Sequence, residues 1–540
     1  MTLRIDRRSL LQIGTLGLGA LATPGAGRLL TGAGFTHQVA SGEPGPTSVL
    51  LWTRYVSEGE PTLRAEVAED LEFGRIVGRG EGPARNEGDF TAKITVGGLS
   101  PGRWYYYRFV APDGTSSPTG RTRTLPEGPV DRFAIGVFSC ANMPFGHFNA
   151  YAHAAMRNDL DLIVHTGDYL YEYPRGTYPA ADASLPGRII LPEGEIIALA
   201  DYRLRYASYR ADPDLAALHR NFPMIAQWDD HEFSNDAWQG GAENHDPTEG
   251  GWAARKRAAE RAWREWMPVS DERWSSYRIG TLATLMRAET RISGRSEQLS
   301  YAAVARSAGD DVAGGLAAFR DGAWQDPARS MLGAEQEAWL EREIMRSVSE
   351  GARWQLLSQQ TVMSRINFPL PIAEQVMSGG SEQARQRAGL LALAAREGLP
   401  LNLDAWDGYP AARDRLLGAA LEAGANLVVL SGDSHNGWAG NLDLAGTPAG
   451  VEMAGHSVTS PGFEAALPRM DPQSVARAVV EASPNLAWAD TARRGYLTVT
   501  LTPDAARGEW HFLDGVRERS TTMAGSHSIH ALHGTNRFAV

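Results

Sequence analysis

The stretch IVHTGDYLYEY, residues 163–173, carries an apolar strand directly into Gly167, Asp168 and, three residues after the aspartate, Tyr171. The glycine permits a tight turn, the aspartate offers a carboxylate that can bridge two cations, and the tyrosine offers a phenolate. A carboxylate and a phenol at this spacing after a buried strand favour metal binding. Because a Gly-Asp turn after a strand is common, the interpretation depends on whether the pattern recurs.

The pattern recurs along the chain after residue 128, where apolar strands alternate with helical segments. Such alternation predicts an α/β domain whose ligands gather at the carboxyl ends of the strands. The predicted strands span residues 133–138, 160–165, 222–228, 354–358 and 426–430. Five strand ends deliver polar side chains: Cys140, Asp168 with Tyr171, Asp230 with His231, Gln359 or Gln360, and Asp433 with His435. Unpaired buried carboxylates cost free energy, and a multivalent cation removes that cost.

Each of these residues also has an ordinary structural interpretation. A lone cysteine is often a small buried apolar side chain, and Tyr171 could simply pack, as we expect of Tyr169 and Tyr173. His231 could be a structural hydrogen-bonding histidine. Asp433 and His435 could cap the following turn.

The composition limits the class of protein. With 540 residues, 43% hydrophobic and 21% charged, the chain is typical of an ordered protein with more than one domain. The net charge of −12 makes a nucleic-acid partner unexpected. The single cysteine excludes a disulfide framework within the chain.

The first residues resemble a targeting segment. Arg7 and Arg8 precede a weakly hydrophobic run rich in glycine and alanine, which is typical of a twin-arginine (Tat) export signal. We therefore predict a signal peptide over residues 1–33, the Tat export machinery as a partner, and a periplasmic or secreted protein. No other stretch is long and apolar enough to predict stable membrane insertion.

The rest of the chain divides into three regions that differ in their sequence patterns. Short alternating strands over residues 34–127 predict an all-β sandwich of immunoglobulin or fibronectin type. Residues 128–513 form the predicted catalytic domain, with insertions at 174–200 and 366–402 that could shape a cleft. Residues 514–540 form a C-terminal extension, and its role at the site stays open.

Five motifs taken together resemble a known family: FSCAN, GDYLYEY, WDDHEFSNDAW, LDAWDGYP and LSGDSHNGWAGNL. They are similar to the alkaline phosphatase D family, within the calcineurin-like and purple-acid-phosphatase-like metallophosphoesterase superfamily. The resemblance implies an α/β (α+β) fold: a four-layer β-sandwich flanked by helices, preceded by the all-β domain.

The resemblance also implies a site for Fe³⁺ and Ca²⁺. Thiolate and phenolate suit ferric iron, and oxygen ligands suit calcium. The implied Fe³⁺ ligands are Cys140, Asp168, Tyr171 and His435. The implied Ca²⁺ site shares Asp168 and adds Asp230 and Asp433, with Asn235 as a further oxygen ligand. Asp229 is either a partner of these ligands or a ligand of a second calcium.

The implied activity is that of an exported alkaline phosphatase. It would hydrolyse phosphomonoesters, phosphodiesters or both with a metal-bound hydroxide, while His231 protonates the leaving alkoxide. Arg291 would orient the phosphate, although Glu289 stands where the family usually has an aspartate. Two alternatives remain: an extracytoplasmic phosphodiesterase of phospholipase D type, and a non-catalytic, calcium-stabilised polymer-binding protein. The natural substrate and the oligomeric state stay open.

Overall fold

A computed structural model describes residues 32–539. Its first seven strands lie in the region predicted to be all-β. They are β1 (Gly34–Gly42), β2 (Val49–Val56), β3 (Thr62–Ala68), β4 (Ile76–Pro83), β5 (Thr91–Val96), β6 (Trp104–Val110) and β7 (Gly120–Arg123).

The later strands alternate with helices. These strands are β8 (Phe133–Phe138), β9 (Leu162–His165), β10 (Pro223–Ala226), β11 (Ser275–Ile279), β12 (Ala283–Arg287), β13 (Trp354–Ser358), β14 (Leu427–Ser431), β15 (Gly437–Leu444), β16 (Thr447–Ala454), β17 (Leu486–Asp490), β18 (Gly495–Leu501), β19 (Ala505–Leu513) and β20 (Met523–Leu532). The helices are α1 (Asn149–Ala155), α2 (Leu199–Arg210), α3 (Pro213–Asn221), α4 (Trp252–Trp266), α5 (Tyr301–Ala308), α6 (Val312–Asp321), α7 (Ala334–Ser349), α8 (Leu370–Gly379), α9 (Glu382–Arg396), α10 (Pro410–Ala423), α11 (Phe463–Ala466) and α12 (Pro472–Ala482).

Two large sheets carry the strand ends that the sequence singled out. One has the order β20-β19-β18-β8-β9-β10-β1-β2-β5, and the other has the order β11-β12-β13-β14-β16-β15-β17. Strands β8, β9 and β10 run parallel in the first sheet, and β12, β13, β14 and β16 run parallel in the second. Parallel strands bring their carboxyl ends to one edge of a sheet.

Apolar side chains alternate between the two faces of these strands, as the period of a strand requires. On one face, Val137 and Val164 of the first sheet share a cluster with Leu356 and Val428 of the second, so the two sheets face each other. On the opposite face of the first sheet, Phe138 and its neighbours pack with helical residues. The second sheet packs its other face against α7 and α10 in the same way. The structure is therefore a mixed α+β protein with several sheets, as predicted.

Helix α4 shows how the sequence positions an element against the core. Its buried residues recur at helical spacing, and the opposite face carries charge. The buried residues of this helix are Arg255, Ala259, Ala262, Trp263 and Trp266.

The N-terminal strands are continuous with the larger fold. Strand β1 pairs in parallel with β10, so β1, β2 and β5 extend the nine-stranded sheet. Strands β4-β3-β6-β7 form a separate sheet that shares an apolar cluster with β2 and β5. At the other end of the chain, β20 pairs with β19, so part of the predicted C-terminal extension completes the same sheet. The domain boundaries drawn from the sequence stay predictions.

Over residues 32–539, no helix has both the length and the apolar character that crossing a bilayer requires.

The continuity of the sheet predicts cooperative unfolding. Trp52 in β2 is fully buried, and its Nε1 donates to the carbonyl oxygen of Glu265 in α4 at 2.8 Å. We expect Trp52→Ala to lower the free energy of unfolding by about 3–5 kcal/mol, because truncation leaves a cavity. Denaturant unfolding should show one shifted transition. The control Leu71→Ala, at a side chain 57% exposed, should change little, and two transitions with only one shifted would contradict the prediction.

Candidate metal centre

The strand ends predicted from the sequence come together at the edge where the two large sheets meet. Cys140 follows β8, Asp168 follows β9, Asp230 follows β10, and Asp433 and His435 follow β14. Backbone hydrogen bonds tie the loops together: the Cys140 amide donates to the Gly167 carbonyl at 3.2 Å, and the Gly432 amide donates to the Gln360 carbonyl at 2.8 Å.

Potential ligand atoms converge in three overlapping groups. Within each group the atoms lie no more than 4.8 Å apart. The groups are Cys140 with Asp168 and His435, Asp168 with Asp230 and His231, and Asp229 with Asp230 and Asp433. Asp168 belongs to two groups, which suits a carboxylate shared by two cations.

Tyr171 lies on the Cys140 side of the cluster. Its hydroxyl lies 3.1 Å from Asp168 Oδ2, 3.1 Å from His435 Nε2 and 2.6 Å from Ser460 Oγ. The other ring nitrogen of His435, Nδ1, lies 2.8 Å from the Pro461 carbonyl oxygen. That contact fixes the ring and directs Nε2 into the cluster, as an outer hydrogen bond does for a ligating histidine.

The backbone at these positions is unusual. Cys140, Asp168, Asp433 and His435 all have φ between 54° and 62°, a region that non-glycine residues seldom adopt. Such conformations cluster at functional sites, where the surrounding structure holds them in place. Here four predicted ligands adopt this left-handed conformation in the loops that follow the strands.

Two glycines allow the loops to approach so closely. Gly167 has φ of +112°, and a Cβ there would lie 2.4 Å from Asp229 Cβ. A Cβ on Gly432 would lie 2.6 Å from Ser139 Cβ and from Thr166 Oγ1. Any side chain at either position would push the ligand loops apart.

Glu232 joins the loops after β9 and β10. Its Oε1 accepts the Tyr169 amide at 2.5 Å, and its Oε2 accepts the amides of Asp229 at 2.7 Å and Asp168 at 3.2 Å. Burial, reinforced by the Asp168 carboxylate, raises the pKa of Glu232 to about 8. The backbone amides of Asp229 and Tyr169 oppose that rise, because they can only donate and so favour the ionised form, which accepts on both oxygens.

His231 forms a pair with Glu172, which the sequence analysis did not single out. His231 Nδ1 lies 2.7 Å from Glu172 Oε2, while Glu172 Oε1 accepts the Asn235 amide at 2.7 Å and Asn244 Nδ2 at 3.0 Å. Burial lowers the pKa of His231, but Asp230, Glu172 and Asp168 outweigh it and raise that pKa well above the usual value. The sequence feature that could have identified Glu172 is its place in the motif GDYLYEY, four residues after Asp168.

Arg291 lies inside the acidic cluster. Its guanidinium is 0% exposed; its Nε donates to Asp229, its Nη1 donates to Asp404 Oδ2 at 2.7 Å, and its Nη2 donates to Asp433 Oδ1 at 2.8 Å. In this arrangement the side chain orients carboxylates, and the predicted contact with substrate phosphate stays untested. Asp404 comes from the LDAWDGYP motif, which the sequence analysis quoted without assigning it a role.

Three other candidates make contacts of their own. Asn235 Nδ2 donates to Glu243 Oε2 at 3.1 Å, and its role as a ligand stays a prediction. Gln359 Oε1 accepts Trp406 Nε1 at 3.1 Å. Gln360 Oε1 accepts Thr290 Oγ1 at 2.7 Å, and its Nε2 donates to the Trp228 carbonyl at 2.6 Å. The two glutamines therefore brace neighbouring loops.

The thiol, the phenol and the carboxylates of the cluster are suited to bind cations. Burial raises the pKa values of Cys140 and Tyr171 well above normal, with the Asp168 carboxylate raising both further. Burial likewise raises the pKa of Asp433, although Arg291 opposes the shift. Asp168 Oδ1 and Asp229 Oδ2 are buried without a hydrogen-bond partner among the described residues. Bound cations would stabilise the charged forms and satisfy these oxygens.

A buried carboxylate cluster with a thiol, a phenol and two histidines, at the edge of an α+β fold, is a donor set suited to a metal-dependent hydrolase. A family profile described as PhoD-like phosphatase matches residues 133–510, and the profile of its N-terminal domain matches residues 22–126. The chain therefore belongs to the PhoD-like phosphatase family.

Two relatives agree with this assignment. Alkaline phosphatase D of Bacillus subtilis (strain 168) is 30% identical over 556 aligned residues, which cover 96% of this chain and 86% of that protein. A solved structure described as the structure of PhoD superposes with a TM-score of 0.75 at 28% identity, covering 94% of this chain and 92% of that one. The resemblance read from the motifs is confirmed, and the protein is a phosphoric ester hydrolase that binds metal.

The Glu232 bridge can be tested with a nearly isosteric change. In Glu232→Gln, one carboxylate oxygen becomes an NH₂ donor that cannot accept a backbone amide, and an unsatisfied buried group costs about 1–3 kcal/mol. We expect a lower free energy of unfolding in urea and a lower metal content of the purified protein. The control Glu297→Gln changes an exposed side chain. Unchanged metal content in Glu232→Gln would contradict a role in holding the ligand loops.

Proposed function

We propose that this protein is an exported alkaline phosphatase with an Fe³⁺ and Ca²⁺ centre that hydrolyses phosphomonoesters, phosphodiesters or both. The observation that carries the proposal is the convergence of Cys140, Asp168 and His435, with the Tyr171 hydroxyl in contact with both Asp168 and His435. Soft thiolate with phenolate and imidazole suits ferric iron.

The oxygen-rich side of the cluster supports the calcium assignment. Asp168, Asp230 and Asp433 would hold Ca²⁺, a hard cation that takes oxygen ligands. Asn235 is retained as a further proposed ligand. Asp229 is held by Arg291 and keeps Oδ2 without a partner, so a second calcium there remains compatible with the contacts. When bound, the cations would lower the pKa of water and neutralise phosphate oxygens.

The protein's own residues supply the proton for the leaving group and orient the carboxylates. Glu172 accepts from His231 Nδ1, so the ring presents Nε2 on its opposite side. A protonated His231 can then donate to the leaving oxygen of the ester, which is general acid catalysis. The neighbouring carboxylates favour that protonated form. Arg291 orients the acidic side chains that receive the cations.

Two further proposals concern specificity and location. A phosphodiesterase of phospholipase D type would use the same groups, so only substrate comparison separates it from a phosphomonoesterase. A non-catalytic polymer-binding role receives no support, because the chain belongs to a phosphatase family and keeps the His231–Glu172 pair.

Export rests on the predicted signal at residues 1–33, of which 1–31 lie outside the described residues.

The proposed centre predicts chelator-sensitive hydrolysis. We expect turnover of p-nitrophenyl phosphate, bis-p-nitrophenyl phosphate or both, with iron and calcium present on metal analysis, and loss of turnover after chelation. Cys140→Ala should lose iron and any visible charge-transfer band while keeping calcium. Absence of chelator-sensitive turnover of either ester would refute the activity. A visible band that persists both in Cys140→Ala and in Tyr171→Phe would refute the iron ligands.

The histidine–glutamate pair predicts a dependence on the leaving group. His231→Ala should lower kcat by about 10²–10⁴-fold for an alkyl phosphate, whose alkoxide needs a proton. The loss should be smaller for p-nitrophenyl phosphate, since nitrophenolate leaves readily without one. Glu172→Gln should give a partial loss of the same kind, with Glu297→Gln as the control. Equal losses on both esters, at unchanged metal content, would argue against general acid catalysis by His231.

A further inference from the structure

Two tyrosines lie beside the proposed catalytic histidine and have no role in the chemistry above. The ring of Tyr173 lies 5.4 Å from the His231 ring, and the ring of Tyr178 lies 5.6 Å from that of Tyr173. Tyr178 is also 5.7 Å from Tyr171, whose ring centroid lies 4.2 Å from that of His231 with the two planes tilted by 36°. Tyr173 and Tyr178 are here called the tyrosine wall: Tyr173 borders the histidine directly, and Tyr178 continues the row of rings from Tyr173 to Tyr171.

Two buried side chains donate hydrogen bonds to the backbone that carries the tyrosine wall. Arg205 is fully buried, and its Nη1 donates to the carbonyl of Tyr171 and, at 3.3 Å, to that of Tyr173. Asn142 Nδ2 donates to the Tyr178 carbonyl at 3.3 Å. The rings are thus carried by a preorganised support, which lowers the entropic cost of binding against them.

The wall differs from a packing tyrosine in the same loop. Tyr169 is fully buried, and its hydroxyl lies 2.9 Å from His219 Nε2, which agrees with the packing role expected from the sequence. Tyr173, for which packing was also predicted from the sequence, and Tyr178 are only partly buried, and neither hydroxyl has a hydrogen-bond partner within the described part of the chain. A tyrosine combines an apolar ring with a polar tip, so two partly exposed tyrosines beside His231 are suited to contact a ligand.

The electrostatic surroundings restrict what that ligand can be. Glu172, which directly precedes Tyr173 in the chain, places its Oε2 2.7 Å from His231 Nδ1. A leaving group that carries additional phosphates would meet this carboxylate beside the tyrosine wall and be repelled.

We propose that the tyrosine wall is the leaving-group subsite and that it favours phosphate esters of uncharged alcohols bearing a flat ring. The leaving oxygen must approach His231 to be protonated, so the rest of the alcohol extends towards the rings that border it. A flat ring gains aromatic contact there, whereas a short aliphatic chain does not. This inference rests on the proposed function and names the substrate class of that site.

The test compares benzyl phosphate with propyl phosphate, two phosphate monoesters of uncharged alcohols, using the full metal-loaded enzyme. In Tyr173→Leu and Tyr178→Leu, we expect kcat/KM for benzyl phosphate to fall by about 3- to 10-fold, the usual size of an aromatic contact. The value for propyl phosphate should change by less than about twofold. The same selective loss should appear in the inhibition constants of benzylphosphonate and propylphosphonate, which involve no turnover.

Two controls separate a contact from a folding effect. Tyr106→Leu changes a partly buried tyrosine on β6 of the four-stranded sheet and should leave both esters unaffected. Tyr173→Phe and Tyr178→Phe keep the ring and should retain the preference for benzyl phosphate. Equal losses on both esters in the leucine variants, with the parent enzyme active, would overturn the subsite while leaving the proposed function intact. If the parent enzyme hydrolyses neither ester nor any p-nitrophenyl ester, the proposed function fails and the subsite fails with it.

Discussion

The carboxylate of Glu232 is the contact on which the geometry of the site depends. Two loops leave neighbouring parallel strands, and the side chains that would bind cations lie on both of them. Their backbones would diverge without a shared partner, because each loop has left the hydrogen-bond ladder of the sheet. By accepting amides from Asp168, Tyr169 and Asp229, one side chain continues the ladder past the ends of β9 and β10.

Two other buried glutamates accept backbone amides from loops around the cluster. Glu289 accepts the amides of Arg291, Ile292 and Ser293, and so shapes the turn that places the Arg291 guanidinium. Glu452 accepts the Met363 and Ser364 amides. Buried carboxylates are costly unless they are hydrogen-bonded, and backbone amides at loop ends need acceptors. Each glutamate meets both needs, so the acidic character of the site extends from the ligands into the scaffold that holds them.

Periodicity and composition predicted the elements closely wherever one local pattern decided them. The strands at 133–138 and 354–358 have the predicted bounds, and the polar strand ends were predicted from apolar runs that stop at polar residues. The strand predicted at 222–228 ends earlier, at Ala226, because the chain turns to place Asp229 and Asp230. Contacts between distant residues left no local signal. Neither the pairing of β1 with β10 nor the roles of Glu172, Glu232 and Asp404 follow from spacing, since each depends on which loops meet in space.

The strand order has a consequence for biosynthesis. Strand β8, which leads into Cys140, lies between β9 and β18, and β18 is about 360 residues further along the chain. At roughly 5–20 residues per second, a ribosome would need on the order of 20–70 seconds to supply that neighbour. During this interval β8 has one open edge, and an unpaired edge can template unwanted pairing. The thiol loop can therefore take its final surroundings only when translation is nearly finished, so a nascent chain would benefit from a chaperone that covers β8 until β18 emerges.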